Sequence, residues 1–157
     1  MKYFTNKLWQ QLNDENNDIR IEAEKQWNDN ANLYSKVYNE VKSKLPKKFI
    51  IIYEKEHGFH DWQIKNINII QSDTKTKTIN IEIAITNSSK SYIISYKKIK
   101  IVKIGYQYDN LIERGFDDWG YSEFLPFDDE SISNEILFAS GVSIFICFKK
   151  IYIKRLK

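Results

Sequence analysis

Apolar positions in this chain are spaced first at helical intervals and then at strand intervals. Leu8, Trp9 and Leu12 share one side of a short helix that Thr5 is placed to cap. Asn13 to Asp18 is turn chemistry, and Asp18 caps a second helix with Glu22 and Glu24 near its positive end. Its apolar positions are Ile19, Ala23, Trp27, Ala31, Tyr34, Val37 or Tyr38, Val41 and Leu45, with a weak place for a kink at Asn28 to Asn30. Pro46 ends that helix and suits the start of another. Phe49 to Tyr53 has strand-like composition, but Pro46 before it and Gly58 after it are helix punctuation, so 47–56 is read as helix.

Beyond Gly58 the period becomes two. Trp62 and Ile64 alternate, then Ile67 and Ile69 do so in the opposite phase. Lys77 to Thr86 sets Ile79, Ile81, Ile83 and Ile85 on one face against Asn80 and Glu82 on the other. The polar run Ser72 to Thr76 joins these strands, and Asn87-Ser88-Ser89 turns the chain into the next.

That next strand is written twice. Ser91 to Ile101 aligns with Ser143 to Ile153, so that Ile94, Lys97, Lys98, Ile99 and Ile101 fall on Ile146, Lys149, Lys150, Ile151 and Ile153. Upstream, Glu82 to Ile85 parallels Glu135 to Phe138, which makes the repeated unit a β-hairpin. Both copies slip phase at their Lys-Lys pair. A β-bulge there would return both sets of apolar residues to the core; the alternative is a bend that passes the strand from one packing surface to another.

The stretch 105–130 between the hairpins contains Gly115, Gly120 and Pro126 and reads as a long connection carrying some structure of its own. It is aromatic (Tyr106, Tyr108, Phe116, Trp119, Tyr121, Phe124, Phe127). It is also acidic, with Asp109, Glu113, Asp117, Asp118, Glu123, Asp128, Asp129 and Glu130 against Arg114 alone. From Val142 onward the charges are Lys149, Lys150, Lys154, Arg155 and Lys157. If the acidic stretch lies away from that tail, the molecule is electrically polarised.

The remaining totals narrow the class. A length of 157 residues fits one domain, helical over 1–57 and sheet over 59–157, and 42% apolar with 29% charged content fits a globular chain. A net charge of +3 is too small to argue for nucleic acid, and no apolar run reaches the ~20 residues of a membrane span. A single cysteine, Cys147, forbids an internal disulfide, and the first residues lack a signal-peptide core, so the expected location is cytoplasmic.

Met1-Lys2-Tyr3-Phe4-Thr5 with Leu8-Trp9, followed by His60-Asp61-Trp62 with Ile64 and Ile67, resembles a bacterial domain-of-unknown-function family of small cytoplasmic proteins. The resemblance implies an α+β fold and no reaction. The His-Asp pair opening a strand, with later Tyr-Lys-Lys-Ile strands, is also similar to small immunity proteins of bacterial toxin systems.

Three candidate chemistries remain. His57, His60 and Asp61, with the Asp117-Asp118 pair, would make a metal site if they converged; otherwise His60 and Asp61 bond the backbone where the strand begins. Asp118 and Glu123 would serve acid–base hydrolysis if burial or crowding moved a pKa. Asp117, Asp118, Trp119, Tyr121 and Glu123 would form a recognition surface for a basic protein partner, or the aromatics would tuck under the sheet while the acids face water. The lysines around 97–103 and 149–155 are read as edge-strand protection, and Cys147 as a small buried hydrophobe.

The expectation is an α+β domain with two or three N-terminal helices on a mostly antiparallel sheet of about six strands, containing a duplicated bulged hairpin. The expected role is non-catalytic protein binding, immunity-like in kind, with no cofactor. A metal-dependent hydrolase centred on His60, Asp61 and Asp118 is the alternative.

Overall fold

A computed structural model describes residues 1–73, 75–106 and 115–156. Thr74 of the 72–76 turn, Tyr108, Asp109, Glu113 and Arg114 of the acidic stretch, and Lys157 of the basic tail lie outside them. The Thr5 hydroxyl accepts the Leu8 amide at 3.2 Å and opens α1, Asn6–Leu12. The second helix, α2, runs from Asn17–Lys42 without a break at Asn28 to Asn30, and its cap is Asn16, whose side chain accepts from the Asp18 amide. A third helix, α3, spans Lys47–Lys55 directly after Pro46, as the punctuation requires.

Among the described residues eight strands follow, all paired antiparallel: β1 Gln63–Gln71, β2 Ile79–Thr86, β3 Ser91–Lys97, β4 Ile101–Gly105, β5 Trp119–Pro126, β6 Ile132–Phe138, β7 Ser143–Phe148 and β8 Lys150–Arg155. The fold is α+β. In place of one sheet of about six strands there are two of four, in the orders β1-β2-β3-β8 and β4-β7-β6-β5. Each order is the other with four added to or taken from every strand number, so the duplication extends beyond a hairpin to four strands. Each half gives its last strand to the sheet of the other half.

The phase slip at the paired lysines records this exchange. No bulge sits there within a single sheet. β3 leaves its sheet after Lys97, and the chain pairs again as β4 beside β7, where Ile101 faces Cys147. β7 leaves its sheet after Phe148 and pairs again as β8 beside β3, where Lys150 faces Lys97. Strands that pass from one packed layer to the next form the corners of orthogonal β packings. The two corners differ in length. The first takes Lys98 to Lys100, with Lys98 at a φ of 55° donating its N–H to Asn80 Oδ1 at 3.1 Å. Lys149 alone makes the second, donating to Lys97 O at 3.3 Å.

β1 shows the same slip for a different reason. A register shift between Ile64 and Asn66 puts Ile64, Ile67 and Ile69 opposite Ile85, Ile83 and Ile81, so a bulge at Lys65 does restore one face. β5 has the corresponding bulge between Trp119 and Tyr121, around Gly120. A Cβ on Gly120 would lie 2.9 Å from the Leu137 carbonyl oxygen, so only glycine fits without moving backbone. The isolated bridge Gln63↔Asp118 joins the start of β1 to the start of β5.

Between the sheets lie Ile81, Ile83, Ile85, Ile94, Ile136, Ile144, Ile146 and Ile151, each at most 1% exposed, with Tyr96 and Phe148 in edge contact. Tyr96 donates its hydroxyl to Asn134 Oδ1 at 2.8 Å, and Asn134 Nδ2 donates to Glu123 O, which satisfies the polar centre of the core. Leu45, Phe49 and Ile50 of the helical layer close the same cluster from outside the sheets.

Candidate functional site

The segment 57–61 is short of room because Phe59 and Trp62 must both enter the core. Phe59 is wholly buried against Tyr53, Trp62 and Trp119, and Trp62 is 3% exposed. To seat both rings the backbone turns left-handed at His57, Gly58, Phe59 and Asp61, with φ of 49°, 68°, 66° and 63°. Non-glycine residues adopt this region at a cost of about 1 kcal/mol or more each, so packing must hold them there. Facing it, Asp117 is also left-handed, at 60°.

These two strained segments are joined by backbone. The Asp61 N–H donates to Trp119 O at 2.9 Å, and the Trp119 N–H donates to Trp62 O at 2.7 Å. Gln63 Nε2 donates to Asp118 Oδ1 at 3.2 Å, and the Ala139 N–H donates to Asp118 O at 2.8 Å. His60 Nδ1 lies 2.9 Å from Asp61 Oδ1, and the Asp61 side chain is 77% exposed. The Tyr121 ring stands half-buried between Trp27 at 4.6 Å, Trp9 at 5.3 Å and the His60 ring at 5.4 Å. Its hydroxyl pKa is raised, first by burial and then by the Asp61 charge. Residues far apart in sequence, His60-Asp61 and Asp118 with Tyr121, therefore meet at one corner of the molecule. Beside it is an open hollow of about 460 Å³ lined by Asp61, Gln63, Lys65, Thr86, Asn87 and Ser88.

The other candidates are taken elsewhere. Trp119 is 1% exposed and Phe124 likewise, so the core reading holds for both, and 119–126 is a strand where a connection was expected. Glu123 is 0% exposed: its Oε1 accepts the Tyr3 and Phe4 amides and its Oε2 the Lys2 amide, each at 2.7 Å. That carboxylate straps the first residues onto β5. His57 is exposed, and its carbonyl accepts the His60 N–H at 3.3 Å. Among the described residues no three His, Cys, Asp or Glu side chains converge as metal ligands.

Two further acids of the stretch are neutralised in place. Asp128 accepts from Lys100 Nζ at 2.7 Å, and its carboxyl is held down to about 2 by that contact and by the Glu130 amide. Glu130 pairs with Lys149, which likewise lowers its pKa. Asp128 and Glu130 thus lie against the lysine corners rather than opposite them, and the polarisation expected from the sequence is reduced there.

No pattern in the sequence points to two further features. Glu56, 8% exposed, receives both Lys90 Nζ contacts at 2.8 Å and the Tyr92 hydroxyl at 3.2 Å; the Lys90 contact leads in lowering its pKa. Tyr34 accepts the Phe124 amide at 2.8 Å, and burial pushes its own hydroxyl pKa up strongly. A charged residue after a helix and a tyrosine on an apolar helical stripe are ordinary patterns, and only tertiary contacts make these two special. A scan against protein-family models finds no match, and a search of curated proteins finds none either. No helix among the described residues is long and apolar enough to cross a membrane.

Proposed function

We propose that this chain is a non-catalytic protein-binding module, immunity-like in kind, that presents Asp61, Asp117, Asp118 and Tyr121 to a basic segment of a partner protein. The observation that carries this reading is the pairing of two left-handed segments, 57–61 and 117, whose strain keeps a largely exposed carboxylate beside a half-buried tyrosine. Packing of Phe59 and Trp62 accounts for the bend, and the exposed charge it delivers is what a partner would read. Trp119 and Glu123 serve the site from beneath, the first as its floor and the second as the anchor of the covering segment. A tyrosine with an apolar body and acids around it suits arginine- or lysine-bearing surfaces, which would be steered by charge and anchored by the ring.

The test is binding to a captured basic partner at two salt concentrations, using the parent chain and Asp61→Asn, Asp118→Asn and Tyr121→Ala variants checked for native circular dichroism. Weaker binding in all three, with the acid variants also losing salt sensitivity, is the expected result. Unchanged capture by the triple variant would remove the corner from consideration as an interface.

A further inference from the structure

The four sheet edges are not equally guarded. β5 is strapped by residues 2–4 through Glu123 and is roofed by α2, whose Tyr34 takes its Phe124 amide. β8 carries Lys150, Lys154 and Arg155 and packs beside α3. β4 is five residues long with Lys103 at its middle. β1 has nine residues and a single charge, Lys65, which sits at the bulge near its beginning. Its first residue is bridged to Asp118, just before β5, so the bare part is Asn66 to Gln71. Flat, uncharged, proline-free edges of this length are templates for another strand.

The faces of β1 indicate what that strand is. Ile69 lies opposite Ile81, a fully buried residue, yet Ile69 itself is 57% exposed, because no described residue covers the core-facing side of the sheet at this end. On the other face Ile70 is 40% exposed. We infer that β1 pairs antiparallel with β1 of a second copy of this chain, about a two-fold axis at Ile69. In that register Ile69 meets its own copy, Asn68 meets Ile70, and Ile67 meets Gln71, so core-facing residues oppose core-facing residues. Lys65 meets Asp73 of the second copy, and the axis repeats that ion pair on its other side. The charge at one end of the strand thus finds its complement past the far end, as an isologous contact requires. One strand pair buries less than a standard interface, so the dimer is weak and depends on concentration.

Sedimentation velocity on the whole chain from about 10 μM to about 1 mM tests this. The parent shifts from monomer to dimer across that range. Ile69→Lys, which sets like charges at the axis and removes no core residue, raises the dimer dissociation constant about tenfold or more. Lys65→Glu raises it about threefold, and combining it with Asp73→Lys brings it back. A parent that stays monomeric throughout, or an Ile69→Lys variant that associates as the parent does, overturns the inference. So does a monomeric parent whose β1 edge is occupied by a strand of another protein.

Discussion

The two halves of the strand region share one topology and differ in what covers them. β1–β4 and β5–β8 have the same order, the same bulge in their first strand and the same exchange of their last. In the second half Ile151 and Ile153 are core, at 0% and 5% exposure, while their counterparts Ile99 and Ile101 in the first are only half-buried. The first strand of the second half is strapped and roofed, whereas that of the first half is bare. Repetition set the pairing, and the helical layer then chose one half to bury. Sequence similarity between copies therefore predicts connectivity well and energetic weight poorly.

The largest effect should come from uncovering the favoured half. Glu123→Ala leaves two buried amides and one part-buried amide without an acceptor and is expected to cost at least about 3 kcal/mol in urea unfolding, with loss of exchange protection at the Lys2, Tyr3 and Phe4 amides. Next comes the matched pair of core truncations. Ile153→Ala should cost about 3 kcal/mol, against about 1 kcal/mol for Ile101→Ala, and equal values would mean that cover does not set the weight. The two bulges give a smaller contrast. Gly120→Ala forces a shift against Leu137 and should cost about 1–3 kcal/mol, whereas Lys65→Ala, at an exposed bulge, should stay within about 0.5 kcal/mol.

The mildest probe is acid. Glu56 ties the β2–β3 turn to the end of α3, and its folded pKa lies below the ordinary 4.5. Its stabilisation is complete above about pH 4.5 and fades as pH falls through the folded value, because the unfolded chain takes up the proton first. In thermal melts between pH 6 and pH 3, Glu56→Gln should be less stable than the parent at the upper end. The difference should shrink toward the lower end, and a constant gap would refute the linkage.

Much of this architecture could be read from residues alone. Thr5, Pro46 and the Ile79 to Ile85 alternation each point to a local cause that the structure keeps. The repeated Lys-Lys slip was legible as a change of course. Its meaning was not, since a bulge in β1 and a change of sheet at Lys97 and Lys149 leave the same trace in a hydrophobic pattern. β5 was hidden for a different reason. It is covered on both faces and bulged at Gly120, so Trp119, Gly120, Ser122, Glu123 and Phe124 are all buried and no alternation survives. Glu123 is the extreme case: its partners are amides roughly 120 positions away, which no local pattern reports. For the site, the sequence supplied the members His60, Asp61, Asp118 and Tyr121, but their meeting depended on the Gln63↔Asp118 bridge.

The reciprocal loan of final strands also governs how the chain is made. When a ribosome has completed the first four strands, β3 still lacks a neighbour on one side and β4 has none at all. The second sheet reaches its full width only when β7 at 143–148 emerges, and the first only with residues 150–155, so the nascent chain has to wait with both ribbons open. A stop placed after the first half should accordingly yield an aggregation-prone fragment rather than a smaller folded protein.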